Sequence, residues 1–149
     1  MAFELRITAR FYEIDRAGIV FFGRVYEYAH SALEEALALM FGHPETMFSK
    51  YRFGMPLVHS EADYQHPIRM GDRLIVRMQV ERIGSRSITF RYQITGEDGL
   101  HRCQVKLVHA FIEMSSFKGI PIPQEFLDAL PKAGLDVPGP QATPGEGDT

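Results

Sequence analysis

The first stretch of the chain alternates strictly between apolar and polar side chains. Over residues 3–11, every second side chain is apolar, and those between are charged or carry a hydroxyl group. A period of two brings all of the apolar side chains to one face of an extended strand. The pattern therefore predicts a β-strand over residues 3–11 that buries one face.

Four further strands are predicted after residue 56. Residues 74–83 and 88–94 alternate regularly, and residues 57–66 are the least regular of the four. Residues 103–113 form a long stretch with β-branched and aromatic side chains, which favours a central strand. Short glycine-containing segments lie between strands, at residues 70–72, 84–85 and 96–99. Such turns suit antiparallel neighbours, so we predict a four-stranded meander.

One long helix is predicted between the first strand and the meander. From Arg24 to Phe41, apolar residues recur at helical spacing. Gly42 can adopt the left-handed conformation that ends a helix, and Pro44 prevents its continuation. The order of elements indicates an α+β fold in which the helix covers one face of a five-stranded sheet. The other face and both edges would stay bare, so we predict association between subunits, as a dimer or a dimer of dimers.

Length and composition fit one domain with a tail. The chain has 149 residues, of which 45% are hydrophobic and 23% charged, as is ordinary for a globular domain. Residues 131–149 are rich in proline and glycine and have few large apolar side chains. Such a segment cannot bury enough surface to order itself. We therefore predict a folded domain over residues 1–130 and a flexible tail over residues 131–149.

Charge, cysteine content and targeting signals exclude several classes of protein. A net charge of −3 provides no field that would hold a polyphosphate, so we expect no nucleic-acid partner. Cys103 is the sole cysteine, which excludes an internal disulfide and a multi-thiolate metal site. The sequence shows neither a signal peptide nor the run of about 18 apolar residues that spans a membrane. These features predict a cytoplasmic protein with no membrane partner.

The segment between the first strand and the helix carries the candidate chemistry. Asp15 precedes an apolar run that ends at Gly23, immediately before the predicted helix. Because Gly23 has no side chain, a carbonyl group of another molecule can approach the first helical turn. The free amides of that turn, aided by the helix dipole, can donate hydrogen bonds to a developing oxyanion. A carboxylate near such amides is the minimum equipment for acyl transfer; alternatively, Asp15 is a turn residue or a local cap.

Two segments resemble the 4-hydroxybenzoyl-CoA thioesterase family. The stretch Asp-Arg-Ala-Gly-Ile-Val-Phe-Phe-Gly over residues 15–23 resembles the active-site segment of that family. Residues 55–72, from Met-Pro-Leu-Val to Gly-Asp, resemble its second strand and the following turn. The resemblance implies the hotdog fold, in which a five-stranded antiparallel sheet wraps a long central helix. It also implies hydrolysis of a coenzyme A thioester, and we expect no cofactor and no metal.

The resemblance implies a role for each residue of the first segment. Asp15 would be the catalytic carboxylate, which either attacks the thioester carbonyl or activates a water molecule. The backbone N–H groups of Phe22 and Gly23 would polarise the thioester oxygen. Gly18 would let the loop turn tightly enough to aim the carboxylate at the helix start. The apolar lining of the site would come from Ile19, Val20 and Phe22.

The acyl group is less well defined by the resemblance. The aryl-CoA branch of the family has Tyr-Pro and another branch has Tyr-His where this chain has Phe22-Gly23. The missing histidine argues against a histidine-assisted enzyme and against a dehydratase or hydratase of the same fold. The sequence Ala-Gly-Ile-Val is more similar to the aryl branch, which favours an aromatic, 4-hydroxybenzoyl-like acyl group as the substrate. The alternatives are a short- or medium-chain acyl-CoA and a non-catalytic acyl-CoA-binding protein.

A turn between two predicted strands provides candidate ligands for the phosphates of CoA. The segment Gly84-Ser85-Arg86-Ser87 aligns with a basic, phosphate-binding turn of the aryl-CoA enzymes. Arg86 and Ser87 fall on matching positions and would bind the nucleotide end of the substrate. Alternatively, Arg86 is an ordinary hairpin arginine.

Two other groups of residues have simpler interpretations. His59, Glu61 and Asp63 alternate on one strand face, which permits a metal site but is more typical of a solvated or interface face. Cys103 has no basic activator beside it in the sequence, which favours core packing over a nucleophilic role. Most of the aromatic residues around the Asp15 segment are expected to fill the core around the helix, and one or two of them, with Phe22 as the first choice, to line an acyl site. The group consists of Phe11, Tyr12, Phe21, Phe22, Tyr26, Tyr28 and Phe41.

Overall fold

A computed structural model describes residues 2–138 of the chain. The strands are Phe3–Thr8 (β1), Phe53–Gly54 (β2), Leu57–Tyr64 (β3), Arg73–Ile83 (β4), Ser87–Gly96 (β5), His101–Ala110 (β6) and Ile112–Glu113 (β7). The α-helices are Arg24–Phe41 (α1), Pro44–Lys50 (α2) and Gln124–Ala129 (α3), and short 3-10 helices cover Phe11–Glu13 and Leu130–Ala133.

The main sheet has five antiparallel strands in the order β1-β4-β5-β6-β3. β6 lies between two neighbours, as predicted for the stretch that begins at Cys103. The predicted four-strand meander is wrong in one respect, because β3 pairs with β6 instead of β4. The reason lies in the turn before β4. The Gly71 amide donates to the Ala9 carbonyl, and the Ala9 amide donates to the Asp72 carbonyl, each at 2.9 Å, so the turn joins β4 to β1.

The helix α1 covers one face of this sheet and forms the core with it. Its inward side chains are mostly small, and Ala29, Ala32 and Ala36 are fully buried. Small side chains let the helix axis lie close to the sheet, where Val76 and Tyr92 are also completely buried. The predicted α+β architecture, with a long helix on a five-stranded antiparallel sheet, is confirmed. The helix has the end residues that the sequence predicts, Arg24 and Phe41.

The packed body continues beyond residue 130, so the predicted start of the tail is too early. Leu130 and Leu135 have no exposed surface, and Ala133 is 5% exposed. The Leu135 amide donates to the Leu130 carbonyl at 3.2 Å, which folds this segment back on the body. The folded body extends past residue 130 because Leu135, a large apolar residue in a proline- and glycine-rich stretch, packs into the core. Residues 139–149 of the predicted tail lie outside the described residues.

The face of the sheet opposite α1 is polar. Glu61 on β3 and Glu81 on β4 both approach the Lys106 ammonium group, at 3.9 and 3.1 Å. His59 pairs with Glu61 at 3.5 Å in the same network. Within residues 2–138, no three histidine, cysteine, aspartate or glutamate side chains are grouped as they would be to hold a metal ion. None of the described helices combines the length and apolar character needed to cross a membrane.

Candidate active site

The loop between β1 and α1 turns back on itself around Asp15. Ile14 and Val20 pair as an isolated antiparallel bridge. Inside it, the Asp15 amide donates to the Ile19 carbonyl at 2.8 Å, and the Gly18 amide donates to the Asp15 carbonyl at 3.0 Å. Gly18 has a φ of 80°, in the left-handed region that favours glycine. The turn therefore depends on glycine at position 18.

The two oxygens of the Asp15 carboxylate have different surroundings. Oδ1 accepts a hydrogen bond from the Ala17 amide at 2.8 Å, which fixes the orientation of the side chain. Oδ2 has no hydrogen-bond partner within residues 2–138. The side chain is half-buried. The residue is thus a turn residue, as one reading of the sequence proposed, but one that leaves an oxygen available for chemistry.

The start of α1 presents two backbone amides that have no acceptor within residues 2–138. No acceptor is found in the described chain for the N–H of Phe22 or of Gly23, whereas the Arg24 amide already donates to the Phe21 carbonyl at 2.9 Å. Gly23 is the N-cap of the 18-residue helix, with φ −69° and ψ −20°. The positive end of the helix dipole and these two N–H groups can polarise a carbonyl oxygen.

Hydrogen bonds with two other parts of the chain hold this helix start in place. The Val20 amide donates to the Ile68 carbonyl at 2.7 Å. The Tyr64 hydroxyl, at the end of β3, donates to the Phe22 carbonyl at 2.6 Å. Burial raises the pKa of Tyr64 to about 12, so the phenol stays protonated and remains a donor at neutral pH. Sequence reasoning missed Tyr64, because it lies 42 positions from Phe22.

Glu13 is a second residue that sequence reasoning missed. It is 6% exposed, and its Oε1 accepts hydrogen bonds from the Arg10 amide at 2.6 Å and the Tyr28 hydroxyl at 2.9 Å. Its carbonyl accepts from the Phe21 amide at 2.9 Å. Glu13 therefore ties the loop that carries Asp15 to the second turn of α1. A lone carboxylate within an aromatic stretch was the available signal.

Most of the seven aromatic side chains near the site are predicted to fill the core, but four of them are exposed. Phe11, Tyr12 and Phe22 are 79%, 70% and 63% exposed. Tyr28 is buried, because its hydroxyl finds a partner in Glu13. Exposed aromatic side chains thus lie in the same loop as Asp15, and a monomeric domain would not be expected to leave such an apolar surface uncovered.

The predicted lining residues occupy different environments. Ile19 is half-buried, and its carbonyl accepts the hydrogen bond from the Asp15 amide. Val20 is 7% exposed and belongs to the core cluster, so its side chain packs in the core beneath the loop and does not line the surface of the site. Of the three predicted lining residues, Phe22 has the side chain most open to a ligand.

The structure does not bring Arg86 and Ser87 near Asp15 within one chain. The Asp15 loop follows β1 at the end of the sheet where β5 finishes, whereas Arg86 precedes the first residue of β5. The 10 residues of β5 separate the two ends, roughly 33 Å apart at 3.3 Å per residue. Arg86 is exposed. If Arg86 and Ser87 bind the phosphates of CoA as predicted, they must therefore serve the Asp15 site of a second chain.

A cavity of about 590 Å³ lies between α1 and the segment that leads into β3. Its wall includes Leu33, Leu37, Phe48, Met55, His30 and His109. His109 is 5% exposed, and its Nδ1 lies 2.9 Å from the Met55 carbonyl oxygen. Its Nε2 is buried with no hydrogen-bond partner in the described chain. Sequence reasoning missed this histidine, although a histidine on the inward face of a β-branched strand was a visible signal.

Comparisons with known proteins agree with the fold. The profile of the thioesterase-like superfamily matches residues 9–130. A 1,4-dihydroxy-2-naphthoyl-CoA hydrolase of Nostoc punctiforme is 27% identical over 139 residues, which cover 93% of each chain. The protein of the same name from Synechococcus sp. (strain CC9311) is 31% identical over 133 residues, covering 81% of this chain and 84% of its own.

A solved structure gives the same picture. The 1,4-dihydroxy-2-naphthoyl-CoA thioesterase from Synechocystis matches with a TM-score of 0.79 at 25% identity, covering 87% of this chain and 96% of that one. The hotdog architecture expected from the sequence is thereby confirmed.

Proposed function

The chain belongs to the thioesterase-like superfamily and is a thioester hydrolase, and from that premise we propose that Asp15 performs the hydrolysis of an acyl-CoA. The observation that carries the proposal is the carboxylate itself. One oxygen is fixed by the Ala17 amide, and the other has no partner among residues 2–138. The loop runs directly into the start of α1, where the Phe22 and Gly23 amides have no acceptor among the same residues.

The geometry supports a division of labour between side chain and backbone. The N–H groups of Phe22 and Gly23 receive the thioester oxygen and stabilise the negative charge that develops on it. Asp15 either takes a proton from an attacking water molecule or attacks the carbonyl carbon itself, forming an anhydride that water then opens. In both routes the C–S bond breaks, the CoA sulfur leaves as a thiolate that takes up a proton, and water supplies the oxygen of the acid.

We propose a hydroxylated aromatic acyl group as the substrate class. The relatives are named for a hydroxylated naphthoyl-CoA and not for 4-hydroxybenzoyl-CoA, so the narrower expectation is widened to hydroxylated aryl-CoA thioesters. The exposed Phe22 beside the site supports this class, because an aromatic acyl group can pack against it.

The proposed active enzyme contains two or more copies of the chain. β3 is an edge strand of 8 residues, and 7 of them are exposed. A long bare edge with exposed apolar residues such as Leu57 and Val58 is a surface that pairs with another strand. A second copy would also allow Arg86 of one chain to serve Asp15 of the other.

The proposal is tested by Asp15→Asn. Asparagine retains an oxygen that can accept from the Ala17 amide, so the turn should keep its structure, but the side chain has no negative charge. We expect thiol release from aryl-CoA esters to fall by at least about a hundredfold, because general-base and nucleophilic roles contribute factors of this size. Circular dichroism and thermal unfolding should stay close to those of the unmodified chain.

Asp128→Asn is the matched control. Asp128 is an exposed aspartate on α3 whose carboxylate also accepts one hydrogen bond, from Gln124. This variant should keep full activity. If Asp15→Asn is as active as Asp128→Asn, the proposed role of Asp15 is wrong; if the unmodified chain binds acyl-CoA esters but hydrolyses none of them, the chain is a non-catalytic binding protein.

A further inference from the structure

The two N–H groups that would bind the thioester oxygen belong to peptide groups whose carbonyl oxygens already accept hydrogen bonds. The N–H of Phe22 shares its peptide group with the Phe21 carbonyl, which accepts from the Arg24 amide at 2.9 Å. The N–H of Gly23 shares its peptide group with the Phe22 carbonyl, which accepts from the Tyr64 hydroxyl at 2.6 Å. The backbone of the helix start therefore supplies the first of these bonds, and a side chain of the sheet supplies the second.

A hydrogen bond to a peptide carbonyl strengthens the N–H of the same peptide group as a donor. The oxygen that accepts the bond draws electron density from the nitrogen, so successive hydrogen bonds in such a chain reinforce one another. The bond from Tyr64 to the Phe22 carbonyl is short for a hydroxyl donor. Among residues 2–138, no other group donates to that carbonyl. Loss of the phenol hydroxyl would therefore weaken the Gly23 N–H as a donor without removing it.

The backbone at Tyr64 is fixed to β6. Tyr64 is the last residue of β3 and lies opposite Cys103 in the sheet. Immediately after it, the Gln65 and His66 amides both donate to the Arg102 carbonyl, at 2.9 and 3.1 Å. These bonds fix the point from which the phenol reaches the start of α1, so its position does not depend on the loop that carries the catalytic carboxylate.

The single proton of the Tyr64 hydroxyl is used in the bond to Phe22. A phenol donates one hydrogen bond, so it cannot at the same time donate to the thioester oxygen. Burial raises the pKa of Tyr64 to about 12, which keeps this proton in place throughout the pH range of an ordinary assay. Tyr64 can therefore act on the reaction only through the Phe22–Gly23 peptide group, as a positioning residue.

We propose that Tyr64 sets the strength of the Gly23 N–H as an oxyanion donor through its hydrogen bond to the Phe22 carbonyl. The inference rests on the proposed function and adds a positioning residue to it. The negative charge on the substrate oxygen is small in the bound thioester and large in the transition state, so a stronger donor favours the transition state over the bound substrate. The contribution of Tyr64 is consequently expected in the rate of the chemical step and not in binding.

Tyr64→Phe tests the inference, because it removes only the hydroxyl group and keeps the ring. A whole oxyanion donor is worth about a hundredfold to a thousandfold in rate, and a cooperative bond changes a donor by about 10–30%. We therefore expect the single-turnover rate constant for aryl-CoA hydrolysis to fall by about threefold to tenfold. The substrates are 4-hydroxybenzoyl-CoA and 1,4-dihydroxy-2-naphthoyl-CoA.

Two comparisons show whether the loss arises through the carbonyl group of the substrate. The thioether 4-hydroxybenzyl-CoA has no carbonyl oxygen, so Tyr64→Phe and the unmodified enzyme should bind it with the same Kd. Tyr51→Phe is the matched control variant, because the Tyr51 side chain is half-buried and its hydroxyl has no hydrogen-bond partner within residues 2–138. This variant should keep the rate constant of the unmodified enzyme.

A spectroscopic measurement reports the hydrogen bond itself. With carbon-13 in the phenylalanine carbonyls and nitrogen-15 in glycine, only Phe-Gly peptide groups give correlated signals, and the chain has three, at residues 22–23, 41–42 and 53–54. A carbonyl carbon that loses a hydrogen bond moves upfield. Tyr64→Phe should therefore move the carbonyl signal of residues 22–23 upfield and leave the other two in place, whereas Tyr51→Phe should leave the signal of residues 22–23 unchanged.

Failure of this inference is distinguishable from failure of the proposed function. If the unmodified chain hydrolyses neither ester, the proposed function fails and the inference fails with it. If the esters are hydrolysed and Tyr64→Phe is as fast as Tyr51→Phe, the inference is wrong while the activity stands. An unshifted signal from residues 22–23 would also overturn it, since the bond would then be absent in solution. Slower hydrolysis together with weaker binding of the thioether, shifts in all three signals and a lower melting temperature would overturn it in favour of a purely structural role.

Discussion

Asp15 combines a fixed orientation with an unused oxygen, and the cause is the short turn that contains it. The Ala17 amide holds one oxygen, and the next residue, Gly18, closes the turn through its left-handed conformation. The sequence alone predicted both residues, since a carboxylate and a glycine in a short loop are local features. It did not predict which oxygen would be free, because that depends on the backbone of the turn.

Gly18→Ala should impair catalysis through the turn. A φ of 80° disfavours an alanine by about 1–2 kcal/mol, and no neighbouring atom lies within 4 Å of the added Cβ, so the effect is conformational and not steric. Relief of the strain would shift Asp15, so we expect kcat/KM to fall at least about tenfold.

Gly99→Ala is the control for Gly18→Ala. Gly99 has a φ of 85° and the same open surroundings, but it belongs to the turn between β5 and β6. Thermal unfolding should show a similar loss of stability in both variants, and steady-state kinetics should show a loss of activity in the Gly18 variant alone. Equal activities would show that the conformation of the Asp15 turn does not matter for turnover.

At the scale of elements, the bounds of α1 and the alternation of the long strands followed from local patterns. The position of β3 did not, because alternation describes a strand but not its neighbour. Backbone hydrogen bonds between Ala9 and the Gly71-Asp72 turn join β4 to β1, so β3 pairs with β6 instead. The long-range hydrogen bonds of Tyr64 and His109 were not predicted for the same reason. Tyr64 reaches Phe22 across 42 positions and His109 reaches Met55 across 54, and no local pattern encodes such contacts.

The buried histidine of β6 should make stability depend on pH. Burial lowers the pKa of His109, so the folded chain keeps the ring neutral while the unfolded chain takes up a proton below its ordinary pKa of about 6.5. The contribution to the free energy of unfolding is therefore lost as pH falls below about 6.5, by at most about 1.4 kcal/mol per pH unit.

Urea unfolding at fixed protein concentration, between pH 7.5 and 5, measures this dependence. The asparagine variant of His109 does not titrate in this range, so its free energy of unfolding should change less with pH than that of the unmodified chain. Parallel pH profiles for the two proteins would contradict the assignment of the titration to His109.

At the scale of the whole molecule, the two ends of the sheet carry different parts of the proposed site. Asp15 and the amides at the start of α1 lie at one end, and Arg86 lies at the other. The exposed aromatic side chains around Asp15 and the bare edge of β3 are both surfaces that a second chain could cover. Sedimentation at micromolar concentration should therefore give a mass at least twice 16.9 kDa.

Mixed oligomers test whether two chains share a site. Arg86→Ala should raise the KM for acyl-CoA about tenfold. Arg82 is a nearby arginine that is also exposed, and Arg82→Ala, the control, should leave the KM unchanged. When Asp15→Asn and Arg86→Ala chains are co-expressed with different tags, the purified mixed species should regain catalytic efficiency. One of its two sites then combines an intact Asp15 with an intact Arg86 from the other chain. Mixed species no more efficient than their parents would place the two residues in separate functions.

The burial of Cys103 has a consequence for how the protein responds to its chemical surroundings. The sulfur has no exposed surface, and burial raises the pKa of its thiol to about 12. At neutral pH the thiolate, which is the form that peroxides and alkylating reagents attack, is therefore almost absent. Because the residue belongs to an interior strand, such reagents reach it only when β6 separates from its neighbours. Oxidation of Cys103 consequently provides no direct means of switching this hydrolase on or off.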